Sequence, residues 1–214
     1  MGAYGLARFG QAYVSGVLTY GNYATDQWRI GLLSGVYGPA STLRGSFNTD
    51  VLGGKVELGV RRDLGRVTLT PFASLEVDHL WRSSFSQTLY GGNAAAGGLA
   101  LTFGRTGQTS APLTVGGRVG SSFALGDARM LNVSAELGWV HDFNPDCSVS
   151  AAFVAAPNVP FRIQGVGASR DAAQVGLDAK LSLTPKVALI GNFTGRFSGV
   201  EAAVGGFGGL QVTW

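Results

Sequence analysis

Apolar and polar residues alternate along most of this 214-residue chain, and a period of two is the spacing of side chains on a β-strand. Between Val67 and Val77 every odd-numbered residue is apolar, whereas the even-numbered ones include Thr68, Glu76 and Asp78. Eight further runs repeat the pattern, at residues 2–9, 12–20, 52–60, 113–125, 131–143, 173–183, 187–197 and 210–214. The alternation predicts an all-β protein of about nine strands, most of them near the ~9–11 residues that a tilted strand needs to cross a bilayer.

The composition argues against long helices, whether in a soluble protein or across a membrane. Glycine occupies 34 positions, and each glycine costs a helix up to ~1 kcal/mol, so long helices are disfavoured. Charged residues make up 14% of the chain, against roughly 25% in an ordinary soluble domain. The longest charge-free run, residues 83–104, is too rich in Gly, Ser and Asn for a transmembrane helix. A helical membrane protein is therefore excluded.

The connections between the predicted strands alternate between short and long. Tight turns are predicted at residues 10–11, 63–66, 125–128 and 183–186, and longer stretches at 26–46, 82–109 and 144–170, although the connection near 199–201 is short. Outer-membrane barrels sort their connections in this way, with short turns on one rim and long loops on the other. Two long stretches contain apolar runs, Leu99–Phe103 and Val149–Val154, so we expect strands to extend beyond the membrane there.

The two faces of the predicted sheet differ in a way that favours an antiparallel up-and-down transmembrane β-barrel. Bulky aromatic residues near the strand ends of the apolar face suit the interfacial girdles of such barrels. The alternative is that these aromatic residues form an ordinary strand core in a soluble barrel. Charges of both signs follow the polar face, where we expect them to line a wet lumen, comparatively buried and paired: Lys55, Glu57, Arg61, Glu76, Asp78, Arg118, Glu136, Asp178, Lys180 and Arg196.

Several segments together resemble the C-terminal translocator domain of classical autotransporters, a branch of type V secretion. In chain order they are AYVSGVLTYGNYATD, GGKVELGVRRDLGRVTLTPFASLE, ELGWVHDF, SRDAAQVGLDAKLSLTPKVALIGNFTGRF and the closing GGFGGLQVTW. The last segment is a strand that ends on an aromatic residue, similar to the terminal signal of bacterial outer-membrane proteins. The resemblance covers essentially the whole chain.

This resemblance implies a twelve-stranded outer-membrane barrel, threaded by an N-terminal helix, that exports and anchors an upstream passenger. It also implies a periplasmic C-terminus and recognition of Leu210, Val212 and Trp214 by the barrel-assembly machinery. Because only about nine strands are visible and single-chain bacterial barrels close with even numbers, residues 1–214 are expected to be one barrel domain without its first strands, helix and passenger. The partners expected are outer-membrane lipid, the assembly machinery and the protein's own passenger.

No pattern in the sequence points to catalysis, a cofactor, a metal or nucleic acid. Sequence neighbours in a strand point to opposite faces, so Asp78 with His79, or His141 with Asp142, cannot form a side-by-side pair. Cys147 is the only cysteine, and no run of Lys or Arg suggests nucleic-acid binding. Some autotransporters cleave their own linker with lumenal carboxylates, and four here share the predicted lumenal phase: Glu57, Glu76, Glu136 and Asp178. The linker itself is not part of this sequence, so the expectation is a non-enzymatic barrel.

The sequence is compatible with three functions. The first is a protein-export barrel, the second a simple outer-membrane porin or adhesin-like barrel, and the third a soluble β-barrel that binds an apolar ligand. Dependence on detergent would separate the soluble barrel from the other two. A passenger of several hundred residues upstream would separate the export barrel from the porin.

Overall fold

Strands dominate the computed structural model, which describes residues 1–31, 41–92, 94–126, 129–145, 147–165 and 169–213. The strands are β1 (Gly2–Phe9), β2 (Ala12–Gly31), β3 (Ser41–Val60), β4 (Arg62–Leu64), β5 (Val67–Arg82), β6 (Phe85–Ser86), β7 (Thr88–Gly91), β8 (Leu101–Phe103), β9 (Thr106–Ser110), β10 (Pro112–Ala124), β11 (Met130–Asp142), β12 (Ser148–Phe153), β13 (Ala156–Gln164), β14 (Asp171–Thr184), β15 (Val187–Phe197) and β16 (Ala202–Val212). One 3₁₀ helix, Ala94–Leu99, lies between β7 and β8. Within these ranges no helix is long and apolar enough to cross a membrane.

Nine strands form one antiparallel sheet in the order β1-β2-β3-β5-β10-β11-β14-β15-β16, which curves into a half-barrel. Three short strands belong to the same sheet without being part of this path: β4 and β9 pair with β5, and β7 pairs with β3. Each of the nine alternating runs in the sequence corresponds to one strand of this path, so the predicted all-β, antiparallel, up-and-down architecture is confirmed.

The short connections lie together on one rim of the sheet, here called the turn rim. They join β1 to β2, β4 to β5, β10 to β11, and β14 to β15, and three of them use a glycine with positive φ: Gly10, Gly65 and Gly126. The end of the chain reaches the same rim, where the Thr213 amide donates to the Lys186 carbonyl. The longer connections lie at the opposite end, the loop end.

The hairpin β2–β3 is longer than the sequence predicted. Residues 26–31 pair with 41–46 as regular strand, although this region was expected to be loop. Asp26 accepts hydrogen bonds from Ser46 and Arg44, so charged side chains that interrupt the alternation are paired across the ladder. The two strands therefore continue well beyond the level at which their neighbours end.

A second, four-stranded sheet at the loop end, in the order β13-β12-β8-β6, is here called the loop sheet. Its core consists of Phe85, Leu101, Phe103 and Ala151, with Phe47 of the long hairpin packed against it. The apolar runs at 99–103 and 149–154 were expected to prolong the barrel strands, and this expectation is wrong. Instead the two runs pair with each other, with Ala151 facing Phe103. They are apolar because they form a small dry core outside the barrel.

Both ends of the nine-strand path are free edges. Among the described residues β1 pairs only with β2, and β16 only with β15. Each edge strand therefore presents one row of backbone N–H and C=O groups without a neighbouring strand.

Candidate functional site: the concave wall

Residues that face each other across an antiparallel ladder point to the same side of the sheet. Arg118 faces Thr70 on one side and Glu136 on the other, whereas the next residue, Val119, faces Leu69 and Ala135. Followed across the whole path, this register collects the polar side chains on one face: Ser15, Lys55, Glu57, Thr70, Ser74, Glu76, Asp78, Thr114, Arg118, Asn132, Ser134, Glu136, Gln174, Asp178, Lys180, Asn192, Thr194 and Arg196.

The polar face is the concave one. The Arg118 guanidinium lies 3.2 Å from the Tyr13 hydroxyl, although the strands that carry them, β10 and β2, are separated by β3 and β5. Three strand spacings amount to ~14 Å in a flat sheet, so the two side chains meet because the sheet bends toward them. We call this surface the concave wall.

Arg118 is the centre of a polar belt that runs across the concave wall. Its two terminal nitrogens donate to the Glu57 carboxylate at 2.7 and 2.8 Å, and its Nε donates to Glu136. Tyr13 donates to Glu57 at 2.6 Å, and Gln174 donates to Glu136 at 2.8 Å. Six consecutive strands of the path contribute one member each to this Arg118 belt: Tyr13, Glu57, Phe72, Arg118, Glu136 and Gln174.

Aromatic rings and glycines make room for this belt. The Arg118 guanidinium stacks 4.1 Å above the Phe72 ring, which is almost fully buried beneath it. A Cβ on Gly59 would lie 2.5 Å from the Tyr13 ring, and one on Gly116 would lie 3.1 Å from the Phe72 ring. Glycine at these two positions leaves room for the two aromatic rings against the wall. Glu57 is consequently only 8% exposed despite the open concave side.

The remaining charges predicted for the lumen are less tightly held. Lys55 and Glu76 face each other across β3 and β5, with 3.9 Å between the ammonium and the carboxylate. Asp78 faces Gly53, and the Asp78 carboxylate occupies the space that a side chain at position 53 would need. Arg61 lies at the turn rim, where it pairs with Asp63 at 3.2 Å.

The last three predicted charges, Asp178, Lys180 and Arg196, lie on the same face but outside the Arg118 belt. Asp178 accepts from Asn192 and Ser134 and not from a cation, and neither Lys180 nor Arg196 has a carboxylate within 4 Å among the described residues. Asp178 and Lys180 are exposed, so the expectation that they are comparatively buried and ion-paired is wrong.

The convex face is apolar and exposed, which inverts the rule for soluble proteins. Leu75, Leu177 and Leu189 are exposed by 43, 49 and 45%. Aromatic rings border this surface on both sides, with Trp81, Trp139, Phe143 and Phe197 toward the loop end and Phe9 and Phe123 at the turn rim. Leu113 and Phe123 are ten residues apart on β10, ~33 Å along the strand and ~25 Å in height at a tilt of ~40°. That height matches the apolar band of an outer-membrane barrel.

The two histidines lie on the convex side near the loop end, among the aromatic rings. His79 contacts Trp81 and hydrogen-bonds Thr109, while His141 lies between Trp139 and Phe143. His141 Nδ1 also lies 2.8 Å from the Asp171 carboxylate on the neighbouring strand. The sequence did not reveal this pair, because its members are thirty positions apart and only the register brings them together.

Elsewhere on the described surface no group of three His, Cys, Asp or Glu residues is placed to hold a metal ion. Asp142 does not pair with His141 but accepts hydrogen bonds from the Ser110 hydroxyl and from the backbone amides of Ala111 and Asn144. These bonds hold the start of β10 against the end of β11. The Cys147 thiol lies within 3.4 Å of the Gln108 side chain. Among the C-terminal residues, Leu210 and Val212 are exposed on the convex face, and Trp214 lies outside the described residues.

A comparison with known families agrees with this geometry. The family model described as the autotransporter β-domain matches residues 1–194 of the chain. No curated protein matches the sequence. The match covers eight of the nine strands of the path in full or in part, including every member of the Arg118 belt.

Proposed function

Because this chain belongs to the autotransporter β-domain family, we propose that its concave wall is the surface along which an exported passenger segment passes. The protein is an outer-membrane translocator barrel that supports passenger export. The observation that carries the proposal is the separation of the two faces, polar and curved inward on one side, apolar and exposed on the other. An extended chain in transit needs a mostly wet wall, which the central strands of the path provide, whereas the edge strands add the exposed Leu6 and Phe207 to the same face. An exposed apolar surface on the other side needs lipid.

A cross-linking experiment tests this assignment of the wall. Ser134 lies on the concave wall, and its neighbour Ala135 lies on the convex face. In a variant with Cys147→Ser, we expect Ser134→Cys to form a disulfide with a cysteine in a passenger segment stalled during export. Ala135→Cys is the matched control and should remain free. Cross-linking at Ala135, or at neither position, would contradict the proposal.

The same reasoning assigns the orientation of the barrel. We propose that the turn rim, together with the C-terminus, faces the periplasm and that the loop sheet faces the exterior. The sorting of connections supports this, since outer-membrane barrels place their short turns in the periplasm. A membrane-impermeant maleimide should label Arg162→Cys in the loop sheet of intact cells, whereas Arg66→Cys at the turn rim should be labelled only after lysis. Labelling of Arg66→Cys alone in intact cells would reverse the orientation.

The free edges of β1 and β16 support a further part of the proposal. Backbone groups without partners cost several kcal/mol each in hydrocarbon, so an open sheet is not stable in a bilayer. We propose that further strands close the barrel and that residues 1–214 form one translocator domain of a longer polypeptide that also carries the helix and passenger. An Ala3→Cys and Gly208→Cys pair would form a disulfide if β1 and β16 were direct neighbours. In the membrane-embedded protein we expect no such disulfide.

The alternative of a simple porin or adhesin-like barrel shares the fold and the membrane, and differs in having no passenger to export. Exposure of an upstream passenger to external protease separates the two functions. Loss of that exposure on deletion of the barrel would exclude the porin. The proposal includes no catalytic step. Glu57 and Glu136 accept hydrogen bonds in the Arg118 belt, Glu76 pairs with Lys55, and Asp178 accepts from neutral side chains.

A further inference from the structure

The turn rim carries an excess of positive charge that the loop end does not share. Among the described residues within and beside the tight turns, six basic side chains, Arg8, Arg61, Arg62, Arg66, Arg129 and Lys186, stand against one acidic side chain, Asp63. At the described part of the loop end, six basic residues are nearly balanced by five acidic ones: Arg29, Arg44, Arg82, Arg105, Arg162 and Arg170 against Asp26, Asp50, Asp142, Asp171 and Glu201. The excess of positive charge is thus concentrated at the turn rim.

Among the described residues, most of the cations at the turn rim have no carboxylate partner. Arg61 lies 3.2 Å from Asp63, which also accepts a hydrogen bond from Thr68, so the one carboxylate described at this rim is already occupied. Arg62, Arg66 and Arg129 are exposed, and none has a carboxylate within 4 Å in the described part of the chain. At the loop end, by contrast, three of the six arginines contact other side chains of the loops.

Three arginines make these contacts. Arg44 pairs with Asp26 at 3.2 Å, Arg29 donates to the Gln87 side chain at 2.8 Å, and Arg82 lies over three aromatic rings of the loop-sheet core. These arginines therefore stabilise the fold of the loops, a role that Arg62, Arg66 and Arg129 do not have.

The unpaired arginines lie at the turn-rim border of the exposed apolar face. Arg62 faces Leu69 across β4 and β5, and Leu69 faces Val119. Arg62 therefore continues this exposed apolar row of the convex face at the turn rim. Arg129 precedes Met130, and Met130 pairs with Ala124, the residue that follows the aromatic Phe123 at the turn rim. Guanidinium groups just outside an apolar band, beside interfacial rings, are placed to bind phosphate oxygens through paired hydrogen bonds.

We propose that Arg62, Arg66 and Arg129 bind the phosphates of anionic phospholipids in the leaflet next to the turn rim. The binding is part of how the barrel is held in its membrane, and it is independent of the passenger. A lipid surface, and not a free anion, is the ligand, because the three groups are spread along a rim and do not converge on one point. A basic side chain close to an anionic membrane surface contributes about a fivefold preference for that surface.

Lipid selectivity in the detergent-solubilised protein tests the proposal directly. We would add an equimolar mixture of dioleoyl phosphatidylglycerol and dioleoyl phosphatidylcholine and count the bound lipids by native mass spectrometry. The protein should prefer phosphatidylglycerol by at least about fivefold. The variant with Arg62→Gln, Arg66→Gln and Arg129→Gln should lose this preference, and the same three positions changed to Lys should keep most of it.

A matched variant changes three exposed arginines of the loop end, Arg105→Gln, Arg162→Gln and Arg170→Gln, and should bind phosphatidylglycerol as the unmodified protein does. Equal losses in both triple variants, no preference in the unmodified protein, or full competition by glycerol 1-phosphate would each overturn the proposal. If the triple variant does not fold, as judged by heat-modified migration on gels, Arg129→Gln alone should lower the preference about fivefold. Passenger display is not part of this readout, so failure here leaves the export function untouched.

Discussion

At the scale of single residues, Arg118 has a structural role that its neighbours on the concave wall lack. It joins Glu57 and Glu136, two carboxylates on different strands, and Glu57 is almost fully buried. Arg118→Gln would leave both carboxylates without their cation. We expect it to lower the free energy of unfolding of the reconstituted barrel in urea by about 1.5–3 kcal/mol, the range for hydrogen bonds to charged groups.

Arg196→Gln is the matched control on the same wall. Arg196 has no ion pair among the described residues, so its replacement should cost at most about 1 kcal/mol. Equal effects of Arg118→Gln and Arg196→Gln would mean that the Arg118 belt adds nothing to stability.

The convex face gives the complementary prediction. Leu177 is 49% exposed on that face, close to mid-strand of β14, and an arginine there would lie in hydrocarbon. Leu177→Arg should destabilise the barrel by about 2–4 kcal/mol in the same urea titration. Asn192→Arg, on the concave wall beside Asp178, should cost less than about 1 kcal/mol. A larger loss for Asn192→Arg would mean that the two faces have been assigned in reverse.

At the scale of elements, the barrel strands could be predicted from the sequence and the loop sheet could not. Where a barrel strand faces lipid on its convex side, its alternation is regular, and β15 was predicted with the bounds Val187–Phe197. The alternation fails where β2 and β3 extend past their neighbours and carry paired charges. The strands of the loop sheet are two to nine residues long, and β8 pairs with β12 across some fifty positions. Such short runs carry no periodicity of their own, and only the meeting of distant loops makes them strands.

The Arg118 belt shows the same limit within the site. The alternation placed Glu57, Arg118 and Glu136 in one phase, which is a property of each strand separately. That Tyr13 and Gln174 join them depends on the register between strands and on the curvature of the sheet. Neither quantity can be read from one strand, because it is set by turns and glycines elsewhere in the chain.

The loop sheet also gives a prediction about elements. Phe85 stacks between Phe47 and Phe103, with ring centroids 4.6 Å away on each side. Phe85→Ala should remove about 3–5 kcal/mol from the local stability of the loop sheet, enough to expose it to protease, while heat-modified migration of the barrel stays unchanged. Phe153→Ala, at a position 40% exposed in the same sheet, should leave the loops resistant. Loss of barrel migration in Phe85→Ala would show that the two sheets are one cooperative unit.

At the scale of the whole molecule, the C-terminal strand tests how the barrel is assembled. Leu210 and Val212 form an exposed apolar row on β16, and Trp214 continues the same phase in the sequence. We expect Trp214→Ser to lower the amount of protein inserted in the outer membrane, measured in membrane fractions, with little effect on the unfolding of barrels that have already formed. Gln211→Ser, on the other face of the strand, is the control. Normal insertion of Trp214→Ser would count against an assembly signal in this strand.

The packing of the loop sheet has a kinetic consequence for the molecule as a whole. Its core joins residues from three separate connections, and these can meet only after the strands that carry them have reached the far side of the membrane. Once the rings of Phe47, Phe85 and Phe103 have stacked, a hairpin can slide back only if this core first comes apart. Withdrawal of a hairpin therefore has to cross the unfolding barrier of a second structure in addition to that of the barrel, so the loop sheet makes the inserted state kinetically persistent.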